Sequence, residues 1–215
     1  MNDYLKVGGF AALLHSIAYI VAIGLYLTIL SPILDADPVN YLKLLTNYQG
    51  VMYLWILIAY WLSAFCLIVV SLAFYNKLKT SSPILLQTAT VLGLIWAGLI
   101  IASGNLMLHD FQAISKMYTH DPTQAETVWL ALMNVENGLV SGNELIGGLW
   151  VLFISWIALR TDWLPKAVNY IGLVTGLIGI ISVIPLFSNS MILFGPSMIV
   201  WFACVGIAML RSCMK

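Results

Sequence analysis

The sequence predicts an all-α integral membrane protein, a single domain of six transmembrane helices over residues 1–215. Two observations predict it. First, 61% of the 215 residues are hydrophobic and 8% are charged, where a soluble domain carries about a quarter charged residues. Second, the apolar residues gather in six runs, each about long enough to cross a hydrocarbon core. Inside hydrocarbon each backbone N–H and C=O must be paired within its own segment, so such runs are helices.

The expected spans are 7–30, 48–75, 83–108, 138–159, 166–187 and 191–210. The first, from Val7 to Leu30, is longer than the core of a signal peptide, and no clear A-x-A cleavage site follows it, so it reads as a span. Basic residues give the orientation. With six spans, the termini and the second and fourth loops share one side, which holds Lys6, Lys77, Lys79, Arg160, Lys166, Arg211 and Lys215. The other side holds Lys43 and Lys116. Both termini are therefore expected in the cytoplasm.

Two outer loops carry helix-start signals. Asp37-Pro38 opens a segment expected to be helical over 38–47, and Asp121-Pro122 opens another over 122–137. Asp suits the N-cap and Pro the first helical position. In the second case Gln124 adds a capping-box pattern. A helix unbroken over 122–159 would be about 57 Å long, so it either projects outward or kinks, with Gly138 or Ser141-Gly142 the expected place. The Asp-Pro starts at 37 and 121 lie 84 residues apart, a spacing that hints at a repeated helical hairpin.

The stretch Leu159-Arg160-Thr161-Asp162-Trp163-Leu164-Pro165-Lys166, followed by Ile171-Gly172 and Gly176, resembles a signature of the bacterial membrane family called domain of unknown function 4386. There too an Arg ends a span, a Leu-Pro-basic turn follows and a Gly-rich span begins. The resemblance implies a multi-pass protein of the bacterial cytoplasmic (inner) membrane. It carries over no catalytic residue.

Ionisable and polar residues inside spans are costly and often functional. On the fourth span and its outer extension, Asn134, Glu136, Asn137, Ser141, Asn143 and Glu144 fall on one half of a continuous helix, with Gly147 and Gly148. Glu144 is the leading candidate for a ligand or proton contact. A carboxyl there gains a partner or takes up a proton; no Lys or Arg lies mid-span, so the protonated form is expected. The third span offers Asn105, His109 and Gln112 on one stripe, and the first offers His15 and Tyr19. The competing reading of such residues is hydrogen-bonding glue between helices, or, for Glu136, His109 and Asp110, a wet interface. A metal site would draw on His109, Asp110, Glu136 and Glu144, although no spacing fixes a ligand pair on one face.

Several chemistries are excluded as motifs. There is no phosphate loop, H-E-x-x-H or G-x-S-x-G. Zero net charge without a clustered basic face argues against nucleic acid. Cys66, Cys204 and Cys213 are scattered and read as small hydrophobes. Gly172-x-x-x-Gly176-x-x-Gly179 lets helices approach closely, either within the bundle or in an oligomer. Three functions stand: small-molecule or ion binding and transport on the polar face of the fourth span, an accessory subunit of a membrane complex, and, third in order, an intramembrane metal-dependent enzyme. The sequence names no cofactor. Infrared spectra at neutral pH should show a protonated-carboxyl band that loses intensity in E144Q; a purely ionised signature, or a band unchanged in E144Q, would overturn the expectation.

Overall fold

Helix is the only regular structure among the residues that the computed structural model describes, which are 2–34, 48–140 and 143–213. The expected segment 38–47 with its Asp37-Pro38 start, and Ser141, lie outside them. We number the helices in chain order. Helix α1 comprises Asn2–Leu25, a π-helical turn Tyr26–Leu30 and a last turn Ser31–Leu34. Helix α2 is Tyr48–Leu78, with a π-helical turn at Leu57–Leu62. Then come α3 (Pro83–Tyr118), α4 (Pro122–Val140), α5 (Asn143–Arg160), α6 (Lys166–Ser182) and α7 (Met191–Cys213).

Five helical stretches are long and apolar enough to cross a membrane: Asp3–Leu30, Tyr48–Leu78, Pro83–Tyr118, Asn143–Arg160 and Pro185–Cys213. Helix α6 is apolar but has 17 residues, about 26 Å of rise. It stops short of the expected 187 because Pro185 follows. The residue before a proline is pushed towards extended backbone, and Ile184 sits at φ −79°, ψ 124°. A 3-10 turn Pro185–Ser190 then leads into α7. The third span also differs from expectation: its helix runs on past Leu108 to Tyr118.

Helix α4 starts where its cap predicts. The Gln124 backbone N–H donates to Asp121 Oδ1 at 3.0 Å, satisfying one of the amides left free in a first turn. Helix α4 lies against α3. The junction between α4 and α5, with the Ser141-Gly142 kink expected there, lies outside the described residues. Ala125 packs with Leu30, Met52, Ile56, Met107, Phe111 and Ile114 in a small core at this end.

The six long helices α1, α2, α3, α5, α6 and α7 form a closed ring in chain order, α7 returning to α1. That closure is antiparallel: Gly9 meets Gly206, and the Ser16 hydroxyl donates to the Ile199 carbonyl at 3.0 Å. The start of α1 and the end of α7 thus share one end of the bundle. The ring's interior is filled, not hollow. Trp150 and Trp201 meet edge to face with centroids 5.5 Å apart, and Phe74, Trp96 and Phe202 surround them. Such pairs add roughly 0.5–1.5 kcal/mol each beyond their burial. The outward faces are apolar, as with Ile84 at 82% exposure, a surface suited to lipid.

Helices α5 and α6 meet backbone to backbone. A Cβ on Gly148 would lie 2.7 Å from the Gly176 carbonyl oxygen, and one on Gly179 would lie 2.7 Å from that of Glu144. Gly172 and Gly176 thus serve packing inside the chain, the first of the two uses expected of them. Two further close fits share a pattern. Gly93 of α3 makes room for Ser71 of α2 and the Trp150 indole of α5; Gly172 of α6 makes room for Ser155 of α5 and the Trp201 indole of α7. We expect G176A to lower the unfolding free energy by about 1–3 kcal/mol. Gly98 has open space around its Cα, so G98A should leave it unchanged or raise it by up to ~1 kcal/mol. Thermal unfolding in detergent distinguishes the two.

Candidate functional site

A cavity of about 310 Å³ opens between α1, α2, α3, α5 and the start of α7. Its position follows from irregular helix geometry. The π-helical turns of α1 and α2 contribute Tyr26, Ala59 and Tyr60, and such turns widen a helix locally and recur at functional sites. Helix α5 contributes its first two residues, Asn143 and Glu144, and α7 contributes Met191, Phe194 and Gly195 ahead of Pro196.

The walls are largely aromatic. Tyr26, Trp55 and Tyr60 form one side, with centroids 6.4 Å apart for Tyr26–Trp55 and 5.5 Å for Trp55–Tyr60. Trp55 is fixed by its indole N–H, which donates to the Ala22 carbonyl at 3.0 Å and so ties α2 to α1. Trp96 and Phe194 form another side, 6.5 Å apart. Gly147 lets Trp96 lie against α5, where a Cβ would come within 2.7 Å of the ring. Polar character comes chiefly from α5. Glu144 is 9% exposed and within electrostatic range of Tyr19. The Asn143 side-chain oxygen is buried with no hydrogen-bond partner among the described residues.

Of the candidates read from the sequence, the structure brings Glu144, Asn143 and Tyr19 together at this cavity. His15 is not part of the lining. Its Nδ1 is 2.9 Å from the Ser63 carbonyl oxygen, and its ring packs between Tyr19 and Phe202 at 4.7 and 4.0 Å. It thereby joins α1 to α2 just past the second π-helical turn. Asn105, His109 and Gln112 are exposed and stand outside the site. Asn137 and Ser141 have no described side chain.

Glu136 is not part of the lining, although it stands within electrostatic range of Tyr60 on the cavity wall. It stands on α4, half-buried, with its carboxyl facing that of Asp110 on α3. The proposed metal ligands are therefore dispersed: Glu144 lines the cavity, Glu136 and Asp110 pair with each other, and His109 is exposed. Among the described residues no group of three His, Cys, Asp or Glu could hold a metal ion. The sequence reading missed the aromatic lining, since Trp55, Tyr60, Trp96 and Phe194 read as ordinary apolar span residues. Their only signal was their number, with 12% aromatic residues overall. A second cavity, of about 720 Å³, lies at the opposite end beneath the 162–166 turn, beside Lys166 and Arg211.

These features define a polytopic helical membrane protein whose described residues form an aromatic-walled, carboxyl-bearing cavity at the end of the bundle away from the termini. The chain belongs to the family described as domain of unknown function (DUF4386), whose model matches residues 7–212. No curated protein and no solved structure matches it.

Burial, and next the adjacent Asp110 carboxyl, push Glu136 from the usual 4.5 up to about 7. Between those values the folded chain holds a proton that the unfolded chain has released. Stability should therefore fall as pH rises through this window. In E136Q the unfolding temperature should vary less between about pH 5 and about pH 8 than in the wild type, which differential scanning fluorimetry can measure.

Proposed function

We propose that this chain binds a small molecule in the α1–α2–α5 cavity and passes it across the bacterial cytoplasmic membrane. In this reading all six long helices span the bilayer, with both termini in the cytoplasm. The observation that carries the proposal is convergence: two π-helical turns, the polar pair Asn143 and Glu144 of α5 and the proline-bearing start of α7 meet at one cavity. Non-α backbone at membrane depth is tolerated where it is buried in protein or lines a cavity. Transporters place their sites on such interrupted helices. The basic residues Lys6, Lys77, Lys79, Arg160, Lys166 and Arg211 gather at the end that holds both termini, which supports the orientation.

The other two readings have less support. An accessory role was to rest on Gly172 and Gly176 as a docking surface, and those residues face α5 instead. A metal-dependent enzyme was to rest on ligands that stand apart.

The test is cysteine accessibility. Cys66, Cys204 and Cys213 are replaced, Ala59→Cys is introduced into the cavity wall, and the protein is reconstituted in sealed vesicles. A membrane-impermeant methanethiosulfonate reagent should label position 59 from both sides. Labelling from one side overturns passage, and labelling from neither overturns the cavity as a ligand site.

A further inference from the structure

We propose that the cavity's ligand is an organic cation, a small ammonium group carried on an apolar body. This rests on the binding reading above and adds the chemical class. The first argument is size. A cavity of about 310 Å³ is of the scale that holds a small organic molecule and is far larger than a bare metal ion needs.

The second argument is the wall. Tyr26, Trp55 and Tyr60 on one side and Trp96 and Phe194 on another present π-systems from four different helices. Aromatic rings attract cations to their faces, most strongly where water is excluded. An assembly of rings from separate helices is also costly to build for filling alone, because it leaves the volume open rather than packed.

The third argument is charge. Among the described residues Glu144 is the one carboxyl in the lining, and no Lys, Arg or His lines the cavity. Among the described residues the single ion pair is Lys166–Asp162, in the exposed turn between α5 and α6. A buried carboxyl with no cation beside it keeps its proton, and an entering ammonium lets Glu144 release that proton and supplies the charge partner that the chain does not. An anionic ligand would meet the carboxylate and the negative ring faces together. A neutral ligand would gain no charge pairing from Glu144. The buried Asn143 oxygen adds a second acceptor at the same rim.

The full-length protein in nanodiscs is titrated with benzyltrimethylammonium, with its neutral carbon analogue neopentylbenzene and with benzenesulfonate. Tryptophan fluorescence reports binding, since Trp55 and Trp96 line the cavity. The cation should bind saturably and at least ~10-fold more tightly than the neutral analogue, with no binding of the sulfonate. E144Q should lose roughly 10-fold for the cation and leave the neutral compound unchanged; E144D should recover part of the loss. Equal affinity for the neutral analogue, or tighter binding of the sulfonate, overturns the cation class while position 59 still labels. Failure of all three compounds to bind overturns it too, and the cysteine labelling then decides separately whether a ligand cavity exists. The wild-type comparison is decisive whether or not E144Q folds.

Discussion

The contact between α5 and α6, in which Gly148, Gly176 and Gly179 bring two backbones together without side chains between them, is the constraint on which the bundle depends. Helices in lipid gain little from burying apolar surface against each other, so close packing must supply the attraction. The short helix α6 has little length over which to gain it. The glycine seam compensates by putting carbonyl oxygens of α5 and α6 within van der Waals reach. It also presses Gly179 against the carbonyl of Glu144. The first turn of α5 is thereby held in place, and the Glu144 side chain is left to the cavity.

The cavity and the aromatic core are two uses of the same residue type. Where ring meets ring directly, at Phe74, Trp150, Trp201 and Phe202, the interior is solid. Toward the end away from the termini the π-helical turns shift Tyr26 and Tyr60 off the positions a regular helix would give them, and the rings stand around a space. Trp96 belongs to both regions, touching Trp150 and Phe194. One side of this indole is therefore structural and the other faces the cavity.

Much of this was legible in the sequence, and its limits are physical. Run length and hydropathy give a helical membrane bundle, because hydrocarbon leaves the backbone no other choice. The Asp121 cap was readable because its chemistry is local. Glu144 stood out as an ionisable residue where few occur. Glu136 and Glu144 share one half of a helical wheel, and only their neighbours decide that one faces Asp110 while the other lines the cavity. The π-helical turns left no local mark, since Tyr26–Leu30 and Leu57–Leu62 read as regular apolar helix. His15 and Asn105 could not be sorted from composition either. Both sit on apolar helices, and only the neighbours decide that one bonds the Ser63 carbonyl while the other faces outward.

The serine–glycine–tryptophan fit described twice in the bundle has a mechanical corollary. Helix α5 takes part in both copies, giving the Trp150 ring to one and the Ser155 hydroxyl to the other. Five residues of helix separate these two by about 140° around the axis, so α5 is keyed on nearly opposite flanks and a swivel that relieves one key jams the other. The helix that bears Glu144 is the stator of this molecule. Any change in the shape of the cavity is left to α1 and α2, the two helices whose winding is already uneven where they face it.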